Sequence, residues 1–141
     1  MKKPISILLS VLLVFTIIPQ MAWANVTPLG SLVNVEVLLY GEAQEGSLLE
    51  RIETIEMDIY GEKQQGAVLM RIDQVQGFLQ SSEGEGGLQL RLNLAEWGFA
   101  YSFSSGEPLI HRLENLETVL YGAPQTGDIA LRAMSPVLGA P

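Results

Sequence analysis

The chain has no cysteine and a single histidine, His111, among its 141 residues. Without cysteine there is no disulfide, no thiol nucleophile and no cysteine-ligated zinc or iron–sulfur site. Cations are also scarce, because eight lysines and arginines stand against 16 aspartates and glutamates, giving a formal net charge of -8. A protein that neutralises nucleic-acid phosphates needs a concentrated cationic surface. The composition therefore predicts that nucleic acid is not a partner.

The sequence contains few residues that could act in catalysis. His111 is predicted to face solvent, and no Gly-x-Ser-x-Gly motif is present to mark a nucleophilic serine. Carboxylates are so common that no single acid–base pair stands out. Zinc-ligand and EF-hand spacings are both absent. We therefore expect no enzyme and no cofactor, with weak calcium binding at the acidic turns as an alternative. Those turns contain Glu42 and Glu45, and Glu83 and Glu85.

The first 24 residues have the pattern of a Sec-type signal peptide. Lys2 and Lys3 precede a largely apolar run over residues 5–18, and Ala22-Trp23-Ala24 provides small residues suited to signal peptidase. A membrane span needs about 20 apolar residues, and this run is shorter. We expect cleavage before Asn25, release of a secreted or extracytoplasmic protein, and no stable membrane insertion afterwards. An uncleaved anchor is the alternative.

The remaining chain repeats with a period of 20 residues. Three segments share Tyr-Gly-x-x-Gln-x-Gly, and five arginines follow the same spacing with one extra residue between the third and the fourth. The repeated tyrosine–glycine pairs are Tyr40-Gly41, Tyr60-Gly61 and Tyr121-Gly122. The arginines are Arg51, Arg71, Arg91, Arg112 and Arg132.

Each unit is predicted to be one helix of about 14 residues followed by a turn of about six. Apolar residues recur at -3, +1, +4 and +8 from each arginine, and these positions lie within about 60° on a helical wheel. The repeated glycines suit left-handed helix ends, and Ser47 with Glu50 forms a capping box. We expect an all-α array of five to six short antiparallel helices, solenoid-like or an irregular bundle. The expected boundaries are a linker at 25–30, a helical-repeat domain at 31–135 and a tail at 136–141.

The arginine lies at one edge of the apolar stripe, and position +5 lies at the other edge. Position +5 holds Glu36, Glu56, Gln76, Glu96 and Glu117. In a flat up-and-down row of helices, like charges would meet. A two-layer solenoid would instead place each arginine edge beside the acidic edge two units away. We therefore expect Arg71 and Arg91 to bind carboxylates two units away.

This pattern resembles short leucine-, arginine- and Tyr-Gly-containing repeats of exported proteins from Gram-positive-type bacteria. Their form is G-x-L-x-x-R-[IL]-x-x-[IL]-E-x-x-[IL]-Y-G, and residues 46–61 and 106–122 carry it. The resemblance implies export and a helical-repeat fold but no activity. The chain departs from the pattern at residues 80–87, where Gln-Ser replaces Tyr-Gly before a glycine-rich acidic loop.

Residues 88–103 fit a helix or a β-hairpin, because apolar and polar residues also alternate there. Four aromatic residues cluster at the end of this segment: Trp97, Phe99, Tyr101 and Phe103. They suit an interface or a sugar-stacking platform, with Trp97 as anchor, or they fill the end of the core.

The leading functional expectation is a non-enzymatic, exported helical-repeat protein that acts as an interaction or structural module at the cell envelope. Its partner would be an unknown protein or another envelope component, and self-association is possible. The alternative is a ligand-binding module for wall carbohydrate or calcium.

Overall fold

A computed structural model describes residues 27–82, 86–100 and 104–134. The expected signal peptide and C-terminal tail, together with Tyr101 and Phe103, lie outside these residues. The described chain contains six α-helices, one π-helix and no strand, which confirms the all-α prediction. The elements are α1 (Pro28–Tyr40), α2 (Leu48–Tyr60), α3 (Val68–Gln80), α4 (Leu88–Ala95), the π-helix (Glu96–Ala100), α5 (Leu109–Tyr121) and α6 (Ile129–Ala133).

Local sequence signals fix the helix ends. Ser47 accepts a hydrogen bond from the Glu50 amide while the Glu50 side chain accepts one from the Ser47 amide, as the capping-box sequence predicts. Gly41 ends α1 in the left-handed conformation with φ of 90°, and Gly61 and Gly122 do the same for α2 and α5. Each Tyr-Gly repeat therefore marks the point where a helix stops.

The folded region begins earlier than expected. Thr27 caps α1 by accepting a hydrogen bond from the Gly30 amide, and Pro28 occupies the first helical turn. Proline is favoured there because its missing N–H would have no helical partner. Residues 28–30, which were expected to form part of the linker, are therefore the start of α1.

The helices form an irregular bundle around one core. Helix α1 packs against α2, α3 and α5, α2 also packs against α3 and α6, and α4 packs against α3 and α5. All six helices contribute buried apolar residues to a single cluster. A regular two-layer solenoid would repeat the same contacts from unit to unit, whereas here α1, α2 and α3 each pack extensively against three other helices and α6 packs extensively against α2 alone.

The segment that fitted either a helix or a hairpin is helical over residues 88–100. Helix α4 changes to π-helical geometry at Glu96. This is the unit with one extra residue in the arginine spacing, and π-turns accommodate a single inserted residue. Phe99 was predicted to lie in the apolar stripe, but it is half exposed. The prediction assumed 100° of rotation per residue, which no longer applies after Glu96.

Candidate functional site

The most elaborate polar arrangement joins consecutive repeat units. Arg71 at the start of α3 donates from Nε and Nη2 to the two oxygens of Glu56 in α2, at 2.8 and 2.6 Å. The Gln64 amide of the connecting turn donates to Oε2 of the same carboxylate, at 2.9 Å. Glu56 is completely buried. One carboxylate thus holds a helix, the following turn and the next helix together, and we call this arrangement the Glu–Arg clamp.

The clamp occurs at four junctions of the described chain. In every case the arginine makes a two-pronged contact with the carboxylate, which also accepts a hydrogen bond from a turn amide eight residues after it. Bidentate, charge-assisted bonds of this kind fix orientation as well as adding energy. The pairs are Glu36–Arg51, Glu56–Arg71, Glu96–Arg112 and Glu117–Arg132.

The expectation that Arg71 and Arg91 reach carboxylates two units away is wrong. Arg71 binds Glu56 of the preceding unit, and Arg91 donates to the backbone carbonyl oxygen of Ala133, at 3.1 Å. The edges of two helices meet only where their side chains also lie at the same distance from the connecting turn, and a helical wheel does not contain that distance. Glu56 lies four residues before the end of α2, and Arg71 is the fourth residue of α3. Antiparallel neighbours therefore bring the two side chains to the same level.

Arg91 lacks the usual acidic partner because Gln76 replaces glutamate at the matching position. Its guanidinium carbon lies 5.8 Å from the centre of the Phe78 ring, a distance typical of a cation–π contact. Its Nε is buried and has no hydrogen-bond partner among the described residues. Among the residues that the structure describes, the junction between α3 and α4 is therefore the one that has no Glu–Arg clamp.

The electrostatics of the clamp favour its ionised form. Burial by itself raises the pKa of Glu56, but the hydrogen bonds from Arg71 and the Gln64 amide outweigh it and the pKa is lowered. The hydrogen bond to Glu56 raises the pKa of Arg71, and Glu36 does the same for Arg51. These arginines are engaged inside the fold, so they do not form an exposed anion-binding row.

The repeated tyrosines occupy different environments. The Tyr40 hydroxyl donates to Asp58 of α2, at 2.6 Å, and the ring of Tyr60 packs edge-on against Phe78 with 5.7 Å between ring centres. Burial raises the pKa of both tyrosines, and the hydrogen bond to Asp58 raises that of Tyr40 further. Tyr121 is about half exposed. They do not form an aligned ladder for ligand stacking.

Helix α4 presents an apolar face to solvent. Leu90, Leu94 and Trp97 are 42%, 62% and 61% exposed; Leu90 and Leu94 lie one turn apart on one side of α4, and Trp97 follows as the second residue of the π-helix. We call these three residues the α4 face. Phe99, half exposed, follows in the π-helix. Helix α4 and the π-helix that continues it together expose four large apolar residues, whereas each of the other helices in the described ranges exposes at most two.

Comparison between repeat units shows that the α4 face departs from the pattern. The position of Leu94, three residues after the arginine position, holds a polar residue in the other four long helices: Asn34, Thr54, Gln74 and Asn115. Trp97 and the aromatic residues after it were predicted as interaction candidates from the sequence, whereas Leu90 and Leu94 were not. Aligning the units at this outward position would have revealed Leu94.

The described residues show few other candidate sites. His111 is exposed, and within residues 27–82, 86–100 and 104–134 no three acidic or histidine side chains are grouped as metal ligands. No helix in the same ranges has the length and apolar character needed to cross a membrane.

Comparisons with protein-family models, curated proteins and solved structures found no match for this chain. The resemblance to exported helical-repeat proteins therefore stays a prediction.

Proposed function

We propose that this chain is a non-enzymatic, exported interaction module that contacts a partner through the α4 face. The observation that carries the proposal is the exposure of Leu90, Leu94 and Trp97 where sister helices carry polar residues at the central position. A contiguous apolar surface on a soluble protein marks a contact site more often than scattered single residues do. The large aromatic anchor at one end is typical of binding surfaces.

The distribution of charge supports an interaction role over catalysis. Four arginines and four glutamates are engaged in Glu–Arg clamps, so these groups hold the fold together. The α4 face has no reactive group, because residues 86–100 contain only Arg91 and Glu96 as charged residues. Both have partners within the fold. Such a face is suited to binding through apolar contact.

The proposed location is the cell envelope or the exterior, and it rests on the N-terminal pattern of residues 1–24. Expression in a secreting bacterial host should yield a product beginning at Asn25, as measured by intact mass of the exported protein. Substituting Ala24→Tyr removes the small residue that signal peptidase needs and should block processing. An exported product that retains residues 1–24 would contradict the proposed cleavage.

Affinity capture from envelope extracts tests the proposed contact surface. The Leu94→Gln variant introduces the residue that α3 carries at the same position, so we expect it to fold normally. Leu131→Gln is the matched control, because Leu131 on α6 is 64% exposed and receives the same substitution. We expect proteins retained by the wild type and by Leu131→Gln to be lost with Leu94→Gln. Equal retention by all three would refute the α4 face as the contact site.

Carbohydrate binding is the second candidate, and it is favoured by the exposure of Trp97 and Phe99. Exposed aromatic rings can stack on sugar faces. Wall glycan fragments should then quench or shift Trp97 fluorescence at a saturable concentration, and Trp97→Ala should abolish binding without lowering the melting temperature. Unchanged fluorescence at millimolar glycan would rule this candidate out.

A further inference from the structure

We propose that the junction between α3 and α4 is a binding site for the carboxylate group of a ligand, which Arg91 holds as the clamp arginines hold a glutamate. This inference goes beyond the proposed function, because it concerns the inner edge of α4 and not the α4 face. The observation behind it is Nε of Arg91, which is buried and has no hydrogen-bond partner among the described residues. A buried donor without an acceptor is costly, so an acceptor added at this point should stabilise the protein.

Arg91 lies in the same register as the arginines of the Glu–Arg clamps. It is the fourth residue of α4, as Arg71 is the fourth residue of α3. The matching position on the preceding helix is the ninth residue, which is Glu56 in α2 and Gln76 in α3. Helices α3 and α4 also pack against each other, as α2 and α3 do. The α3–α4 junction therefore has the helix arrangement of a clamp, with an amide in place of the carboxylate.

The guanidinium of Arg91 has one edge that suits a ligand. In all four clamps, the arginine binds the two carboxylate oxygens through Nε and Nη2. Arg91 instead donates from Nη1 to the carbonyl oxygen of Ala133, at 3.1 Å. Gln76 turns away from this edge, because its amide nitrogen donates to Oε1 of Gln80, at 3.4 Å. The edge formed by Nε and Nη2 matches a carboxylate in two parallel hydrogen bonds.

The local charge favours a carboxylate, although the whole chain has a formal charge of -8. Arg91 is the only arginine without an ion pair in the described ranges, and its guanidinium stays charged at neutral pH. Glu96, the only acid of residues 86–100, is already bound by Arg112. The net negative charge opposes anions at long range, so we expect weak binding of a small carboxylate, with saturation at millimolar concentration.

NMR of the arginine side chains tests the site in the full chain as a secreting host delivers it. Sodium acetate and the blocked peptide acetyl-Ala-Glu-Ala-amide are titrated separately, with sodium chloride keeping the ionic strength at about 0.15 M. We expect the Nε–Hε signal of Arg91 to move saturably toward the signals of the clamp arginines, and the melting temperature to rise. Acetyl-Ala-Gln-Ala-amide is the neutral control and should leave the signal unchanged.

The two titrations distinguish the possible sources of the carboxylate. Saturation at a much lower concentration of the glutamate peptide than of acetate would assign an acidic protein segment as the ligand. Saturation of both at similar concentrations would assign a small organic carboxylate. Both results support the site, because both require the same contact with Arg91.

Substitutions at Gln76 provide the matched variants. Gln76→Glu supplies the carboxylate from α3, so it should abolish the response to acetate and raise the melting temperature. Gln74→Glu is the control, because it adds the same charge to the same helix at an exposed position and should leave the response unchanged. Arg91→Lys keeps the charge but removes the two-pronged edge, so binding should weaken about tenfold. Circular dichroism of each variant checks that the fold is retained.

Three results would overturn the inference. The first is an Arg91 signal that does not respond to about 0.1 M acetate. The second is a Gln76→Glu variant that responds to acetate as the wild type does. The third is an equal response from every arginine signal, which would show a general effect of the added ions.

Discussion

Substituting Glu56→Gln should strongly destabilise the fold, although it replaces only one carboxylate oxygen by an NH₂ group. Glu56 is fully buried and accepts three hydrogen bonds, two from Arg71 and one from the Gln64 amide. Glutamine retains one acceptor oxygen and presents an NH₂ group to donors, so Arg71 keeps its charge without a counter-ion. Removing one member of a buried ion pair typically costs about 3–5 kcal/mol.

This cost is large compared with the whole stability of a small domain, which is about 5–15 kcal/mol. For a domain of this size, each kcal/mol lowers the melting temperature by about 4 °C, so we expect a drop of about 12–20 °C. Urea unfolding followed by circular dichroism at 222 nm measures the free energy directly. The transition midpoint should fall while its slope stays constant.

Glu53→Gln is the matched control, because it makes the same substitution in the same helix. Glu53 accepts from Lys63 at 2.7 Å, but this pair lies near the surface and Lys63 is mostly exposed. Exposed pairs contribute at most about 1 kcal/mol. The Glu–Arg clamp does not hold the units together if the free energy of unfolding of Glu56→Gln lies within about 1 kcal/mol of the wild-type value. The same conclusion follows if Glu56→Gln lowers that free energy no more than Glu53→Gln does.

Three further predictions follow from the same contacts. Because the folded pKa of Glu56 is lowered from its ordinary 4.5, the unfolded chain takes up protons first on acidification. The stability difference between the wild type and Glu56→Gln should therefore shrink below pH 4.5 in urea titrations, and a constant difference would contradict this. The pKa of Tyr40 is raised by burial, so unfolding free energy should fall as pH rises above 10, and less so in Tyr40→Phe; equal losses at pH 11 would argue against it. Gly122→Ala, at φ of 84° with no neighbour within 4 Å, should cost about 1–2 kcal/mol for left-handed strain. Gly41→Ala should cost more, because its Cβ would also lie 2.8 Å from Pro108, and equal thermal shifts would count against that contact.

The positions of the helices could be predicted from the sequence because the signals are local. Apolar residues at fixed distances from each arginine define one helix face, and Gly41 or Ser47 define its ends. Ile52, Ile55 and Ile59 are all buried, as the wheel required. No long-range information is needed for a pattern that repeats every 20 residues.

The ionic partners could not be predicted from the wheel alone. A helical wheel gives the angular position of Arg71 around its helix. The carboxylate that Arg71 binds depends also on how far Arg71 and that carboxylate lie from the connecting turn. The exposure of Phe99 was missed for a related reason, since the wheel assumes uniform α-helical geometry through Glu96. The extra residue before Arg112 was visible in the sequence, but whether a loop or a π-turn accommodates it depends on packing.

The Glu–Arg clamp also has a consequence for the addition of further repeat units to such a chain. The unit of α2 supplies Arg51 to the unit before it and Glu56 to the unit after it, and the two partners of each pair are 15 positions apart in the sequence. Tandem duplication of one 20-residue stretch, such as 48–67, would therefore bring its own acid and its own base in the correct order. Every buried charge would keep a counter-ion, so gene segments of this length can be added without leaving an unpaired charge in the interior.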